Sequence, residues 1–182
     1  MKRIYAAAFI AAAAMAAISA SGQTGGGIPL LDKAPQYRVT FDYTLTYLKA
    51  GGSPAREVTG GSVIVEDRAF FATGMDLELI SDGESRWTVD RAAGEVVVEK
   101  ADAGSVITNP ALLFATYRDY LDRITVNSSG EDFLDVTVKV DEDVSERFVL
   151  KDIRFLPKEG KRSGFTLDVK SLPDDFVVTD LR

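Results

Sequence analysis

Residues 37–48, YRVTFDYTLTYL, alternate between apolar and polar side chains over almost their whole length. The odd-numbered positions are aromatic or aliphatic, and the even-numbered positions up to Thr46 are polar. A period of two with aromatic and β-branched residues is typical of a strand that is buried on one face only. At about 3.3 Å per residue such a strand spans about 40 Å, which favours a large curved sheet over a compact sandwich.

Shorter segments with similar alternation follow, and turn residues separate them. Asp67-Arg68 forms one tight connection, and Asp82-Gly83 is a strong hairpin signal. We expect a primed turn at Asp82-Gly83, because such turns need positive φ angles that glycine adopts without steric cost. The predicted strands cover residues 37–48, 62–66, 69–73, 76–81, 85–89, 95–100, 124–127, 132–140, 147–156, 164–171 and 176–181.

Asn109-Pro110 predicts the start of a helix, since asparagine is a good N-cap and proline is favoured at the first helical position. The helix is expected to run to about Arg123, and a short helix is expected at Leu30–Ala34. With about ten to eleven strands, the chain is predicted to be mainly β. We expect an incomplete, strongly curved antiparallel barrel, and the alternative is a β-sandwich with an incidental helix.

The first segment is typical of a secretory signal peptide. Lys2 and Arg3 precede an apolar run at 4–18, and small residues follow it. A membrane anchor is the alternative, but this run is shorter than the roughly 20 residues that a spanning helix needs. We therefore expect a signal peptide at 1–22, a flexible glycine-rich tether at 23–27 and one folded domain at 28–182. The mature protein is expected in the periplasm.

Composition narrows the chemistry. The 182 residues include no Cys and no His, so thiolate nucleophiles, disulfides, cysteine zinc sites and the usual neutral-pH general base are all excluded. The 28 acidic residues outnumber the 21 basic ones, which argues against a nucleic-acid partner. Carboxylates fall at strand ends and turns, and no nucleotide-binding motif occurs. We expect neither an enzyme nor a bound metal or cofactor.

The apolar side chains on one face of the predicted strands raise the question of a cavity. A strongly curved sheet covered by one or two helices tends to leave a gap beneath them. Such a gap would bind acyl chains at about 0.8 kcal/mol per buried methylene. The alternative is a filled core. The predicted lining residues are Phe41, Tyr43, Leu45, Phe70, Leu79, Trp87, Leu113, Phe114 and Tyr117.

Three stretches share an order of features with a known family. Residues 60–100 hold a glycine-led strand, a phenylalanine-containing strand and a hydrophobic strand ending in Ser81-Asp82-Gly83, with Trp87 soon after. The NPALLFATYRDYL helix and the LPDDFVVTDLR tail follow. This order resembles the periplasmic outer-membrane lipoprotein carrier family, the LolA-like proteins, over about 36–182.

The resemblance implies a bent antiparallel barrel whose helices form a lid over a hydrophobic cavity. It implies a monomeric carrier that takes acylated lipoproteins from an inner-membrane lipoprotein-releasing transporter to an outer-membrane acceptor. Arg68 is the candidate for the family's lid-latching arginine. Because the acceptor is itself a lipoprotein, the missing Cys favours the carrier. A lipid- or lipoprotein-sensing module and an interaction domain with a filled core are the alternatives.

Overall fold

The computed structural model describes residues 27–49, 54–74, 76–101, 109–159 and 164–182, with the backbone alone for 54–58. The expected signal peptide and the tether up to residue 26 lie outside this part of the chain. Within the described ranges, no helix has the length and apolar character needed to cross a membrane.

In the described ranges, ten strands form one open sheet. Their bounds are β1 Arg38–Lys49, β2 Pro54–Glu66, β3 Ala69–Gly74, β4 Leu77–Ser81, β5 Ser85–Asp90, β6 Glu95–Lys100, β7 Ile124–Ser129, β8 Leu134–Lys139, β9 Val144–Leu156 and β10 Val177–Asp180. The order across the sheet is β10-β6-β5-β4-β3-β2-β1-β9-β8-β7. Neighbouring strands are antiparallel except for β10, which runs parallel to β6. The mainly-β prediction is thus confirmed, with one parallel edge pair.

Two short helices accompany the sheet. Helix α1 spans Pro29–Lys33 and continues as a 3-10 turn at Ala34–Gln36. Helix α2 spans Pro110–Thr116 and continues as 3-10 turns at Tyr117–Arg123. Both starts agree with the sequence predictions to within a residue.

The start of α2 has the predicted capping. The Asn109 side chain accepts a hydrogen bond from the Ala111 backbone N–H at 2.9 Å, and Pro110 occupies the first helical position. Regular α-helix ends at Thr116 and not at Arg123, because the backbone tightens into 3-10 turns and leaves helical geometry at Tyr120. The predicted extent is therefore right, although only its first half is α-helical.

Three strand predictions need correction. β2 begins at Pro54, earlier than predicted, because Gly60-Gly61 interrupts the alternation in its middle. β9 also begins earlier than predicted, at Val144 instead of residue 147. The predicted strand at 164–171 is wrong, since its last part is a 3-10 turn at Val169–Ser171. Its alternating apolar side chains pack onto the sheet without joining it.

The hairpin between β4 and β5 is partly as predicted. Gly83 has φ +92°, but Asp82 does not have a positive φ, and the connection contains three residues. The Asp82 carboxylate accepts hydrogen bonds from the backbone N–H groups of Glu84 at 2.8 Å and Ser85 at 2.7 Å. The side chain therefore shapes this turn, and the predicted primed turn is wrong.

The sheet is buried on both faces by different parts of the chain. We call the side that carries Phe41 the helix-covered face, because α1 and α2 pack on it in the main core. We call the other side of β3–β6 the C-terminal face, since a smaller core there includes Leu167, Leu172 and Phe176. The two cores explain why alternation weakens in the central short strands.

Candidate functional site

Eight of the nine predicted cavity residues lie together on the helix-covered face. Seven of them are buried members of the main core, and Leu79 packs against it while half-buried. The buried seven are Phe41, Tyr43, Leu45, Phe70, Leu113, Phe114 and Tyr117. The sheet and α2 therefore bring the predicted residues into one apolar layer.

These side chains fill space in the described conformation. The Phe41 ring stacks on the Phe114 ring, with centroids 4.8 Å apart. The Tyr43 hydroxyl donates a hydrogen bond to the Thr73 backbone carbonyl at 3.2 Å. Phe41 thus packs β1 against α2, whereas the Tyr43 bond joins β1 to β3 within the sheet.

Trp87 does not belong to this layer, and its assignment to the cavity is corrected. It is in register with Ile80 on β4 and with Val98 on β6, and all three lie on the C-terminal face. The neighbouring residue Leu79 faces the helices. β5 buries only the face that carries Trp87 and Val89, and its alternation does not reveal which of the two cores that face meets.

A cleft opens between the helices and the sheet beside this layer. Its volume is about 220 Å³. It lies between the 3-10 turn after α1, the end of α2 and the strands β1 and β2. Its lining residues are Ala34, Pro35, Tyr37, Val39, Val65, Asp67, Arg68, Phe114 and Ala115. Most of them are apolar, and Phe114 is shared with the predicted cavity.

The size of the cleft limits what it holds in this conformation. An apolar cavity of about 150 Å³ accepts a benzene molecule, whereas pockets for drug-sized ligands start at about 300 Å³. The cleft volume of about 220 Å³ lies between these values. It therefore has room for part of one acyl chain, and a larger ligand requires the helices to move away from the sheet.

A polar clasp of Asp32, Tyr117 and Arg118 ties the two helical segments together. The Asp32 carboxylate accepts hydrogen bonds from the Tyr117 hydroxyl and the Arg118 guanidinium. These two bonds, with Tyr117 contributing most, hold the pKa of Asp32 below its ordinary value. Burial, followed by the bond to Asp32, raises the pKa of Tyr117. The clasp therefore requires an ionised Asp32 and a protonated Tyr117.

Arg68 lies at the rim of the cleft. Within the described ranges its guanidinium takes part in no ion pair, and its side chain lies next to the β4–β5 turn, where a β-carbon on Gly83 would be 3.3 Å from the Arg68 Cβ. The polar clasp, and not Arg68, makes the observed contact between the helices. Its residues lie far apart in sequence, so no local pattern indicated it.

Glu146 is a buried acidic residue that the sequence analysis missed. It lies on the helix-covered face, in register with Tyr47 on β1 and Val138 on β8, with 1% of its surface exposed. Its Oε2 has no hydrogen-bond partner among the described residues. Burial raises the pKa of Glu146 to about 7. Its alternation with Phe148 and Leu150 would have placed it inward, had β9 been predicted to start earlier.

Comparisons with known proteins return no match for this chain, neither to a protein-family model nor to a curated protein. No group of three or more acidic residues in the described part is arranged to hold a metal ion. The helix-covered face, its cleft and its polar clasp are therefore the features on which a function can be proposed.

Proposed function

We propose that the protein is a periplasmic carrier that binds the acyl chains of lipoproteins beneath α1 and α2 and moves them from the inner to the outer membrane. The observation that carries this proposal is the apolar cleft between a pair of short helices and an open sheet. The family resemblance of the sequence supplies the cargo and the route.

Opening the helices has a cost that an acyl chain is suited to offset. Separation from the sheet would expose Leu31 and Phe114, which are almost fully buried. Each such side chain loses about 1.5–3 kcal/mol when it returns to water. A bound chain restores the burial at about 0.8 kcal/mol per methylene, so a chain of ordinary lipid length replaces what opening exposes.

The contacts between the two helices are also suited to reversible opening. In the polar clasp, 70% of the Arg118 side chain and 32% of the Asp32 side chain are exposed. Exposed ion pairs add little net stability, because water competes for both partners. The empty protein thus favours the closed state through apolar packing, and a ligand shifts it towards the open state by binding that state more tightly.

The proposed partners follow from the resemblance of the sequence to the lipoprotein carriers. Acylated lipoproteins are the cargo, an inner-membrane transporter loads the carrier and an outer-membrane acceptor unloads it. A chain without Cys cannot receive a cysteine-linked lipid, which is consistent with a carrier that leaves both membranes. The protein would act as a monomer, since one sheet with its two helices supplies the whole site.

Filling the cleft tests this proposal. Ala115 lines the cleft and is half-buried, so Ala115→Phe would place a ring where two to three methylenes of a ligand would lie. At about 0.8 kcal/mol per methylene, we expect the affinity for a fluorescent fatty acid to fall about tenfold or more. Fluorescence titration measures the change, and thermal unfolding checks that the variant is folded.

The matched control is Ala92→Phe, which adds the same ring to an exposed turn far from the cleft. Its affinity for the probe should equal that of the unchanged protein. Equal binding by the Ala115 variant and the unchanged protein, or no binding by either, would remove the support for a carrier.

A further inference from the structure

The two edges of the sheet differ sharply in chemistry. At one edge, β7 carries Thr125, Asn127 and Ser129 and has a register irregularity after Val126. Polar residues and bulges of this kind protect an edge against pairing with another strand. At the other edge, β10 has the sequence VVTD, and its register with β6 is regular. The β7 edge is therefore interrupted by an irregularity, whereas β10, although only four residues long and ending in Asp180, pairs regularly along its whole length.

The apolar residues of β10 are also unusually exposed. Val177 is 60% exposed, Val178 is 43% exposed and the next apolar residue, Leu181, is 65% exposed. These are the three largest exposed fractions of any large hydrophobic residue in the described part of the chain. Single exposed apolar residues are ordinary, but here Val177 and Leu181 lie on one side of the edge and Val178 on the other, so a strand added to this edge would cover apolar side chains on both faces.

The backbone of β10 is oriented to accept a further strand. The N–H of Val177 donates to the carbonyl of Gly94, just before β6, and the N–H of Leu181 donates to the carbonyl of Val98 in β6, each at 2.8 Å. Because backbone groups alternate in direction along a strand, the N–H and C=O of Val178 point away from β6. No described strand lies on that side, since β10 ends the sheet order.

We propose that the free edge of β10 binds an extended segment of another protein, which adds to the sheet as an outer strand. Strand addition of this kind obtains affinity from main-chain hydrogen bonds and specificity from alternate side chains. The site is separate from the cleft under the helices, so the proposal does not depend on acyl binding.

The residues around β10 specify the chemistry of that segment. Val177, Val178 and Leu181 favour apolar side chains on the added strand, because cross-strand neighbours pack directly against each other. Asp174, Asp175 and Glu95 are exposed at the beginning of β10, where Glu95 is in register with Val177. The expected segment therefore combines apolar residues with a Lys or Arg that lies beside this acidic group.

A second copy of the chain fits the edge less well. Each copy would bring the same acidic group and a formal charge of -7, so the copies repel each other. A strand of four residues also spans only about 13 Å, which is too short to support a dimer interface of standard size by itself.

Substitutions at Val178 separate backbone pairing from side-chain effects. Val178→Pro removes the outward N–H while leaving the hydrogen bonds that the N–H groups of Val177 and Leu181 donate, and proline is tolerated at such edge positions. Val178→Thr is the matched control, because it keeps the N–H and the β-branched shape. The probe is a library of random short peptides selected on the unchanged protein.

We expect the selected peptides to be apolar and basic and to protect the Val178 amide from hydrogen exchange in the unchanged protein. We expect Val178→Pro to weaken their binding about tenfold or more, and Val178→Thr to keep it within about threefold. If the proline variant does not fold, hydrogen exchange at the Val178 amide of the unchanged protein still tests the proposal. The proposal is overturned if no selected peptide protects this amide, or if concentrated protein protects it through self-association without peptide.

Discussion

Gly61→Ala is expected to destabilise the fold by about 3 kcal/mol or more, because the new methyl group would overlap backbone atoms. A β-carbon at position 61 would fall well inside van der Waals contact of the Thr73 carbonyl oxygen and 2.6 Å from its carbonyl carbon. No side chain can rotate to relieve this overlap. The end of β3 would have to move away from β2, which in turn supports the cleft through Val65.

Gly60→Ala is the matched control, since it makes the same substitution one position earlier in β2. Its β-carbon would lie 3.1 Å from the Tyr43 carbonyl oxygen and 3.6 Å from the Thr44 Cγ2, which small shifts can accommodate. Denaturant unfolding of both variants measures the difference. Equal loss of stability in the two would mean that β3 does not approach Gly61 as described.

Glu146→Gln is expected to remove a pH-dependent cost of folding. Burial raises the pKa of Glu146 from its usual 4.5 to about 7, so the folded state holds this proton more tightly than the unfolded state. The free-energy cost of burying Glu146 is least below about pH 4.5, where the residue is protonated in both states. This cost grows as pH rises towards 7 and then stays constant. At about 1.4 kcal/mol per pH unit in this range, ionisation costs up to about 3 kcal/mol.

The glutamine variant and the unchanged protein should therefore have similar stability at pH 4.5, and above pH 7 the variant should be more stable by up to about 3 kcal/mol. Glu142→Gln is the control, because it makes the same substitution at an exposed residue in the turn before β9. Unfolding free energies measured across this range give the answer. A constant difference between the Glu146 variant and the unchanged protein would show that this carboxylate does not titrate as described.

Much of the fold was predictable because a strand or helix that buries only one face has a strong pattern of apolar and polar positions. Strand β1 alternates over most of its length, since one face meets the main core and the other carries polar, partly exposed side chains. Asn109-Pro110 marks the start of α2, because capping depends on neighbouring residues only. Phe114 of α2, and Tyr117 just after it, were likewise placed correctly on the side of the core.

The remaining errors arise where more than one environment acts on a segment. Residues 164–171 alternate like a strand, but their apolar side chains pack onto a sheet that they do not join. Trp87 lies on the single buried face of β5, and which core that face meets depends on register with β4 and β6. Register is a tertiary property that the local sequence does not specify.

The candidate site was predictable in composition but not in arrangement. The sequence indicated which apolar residues gather under the helices, and the structure brings all but Trp87 together on one side. The polar clasp joins Asp32 to Tyr117 and Arg118, which lie 85 and 86 residues later in the sequence, so no local pattern pairs them. Glu146 was overlooked because an acidic residue near a strand end is normally exposed.

Mass spectrometry under non-denaturing conditions, on protein recovered from the periplasm of cells that make it, tests the carrier proposal most directly. We expect a population whose mass exceeds that of the chain by one acylated lipoprotein, and release of that species on unfolding. Recovery of the empty chain alone, with no acyl-bearing species after incubation with a purified acylated lipoprotein, would contradict it.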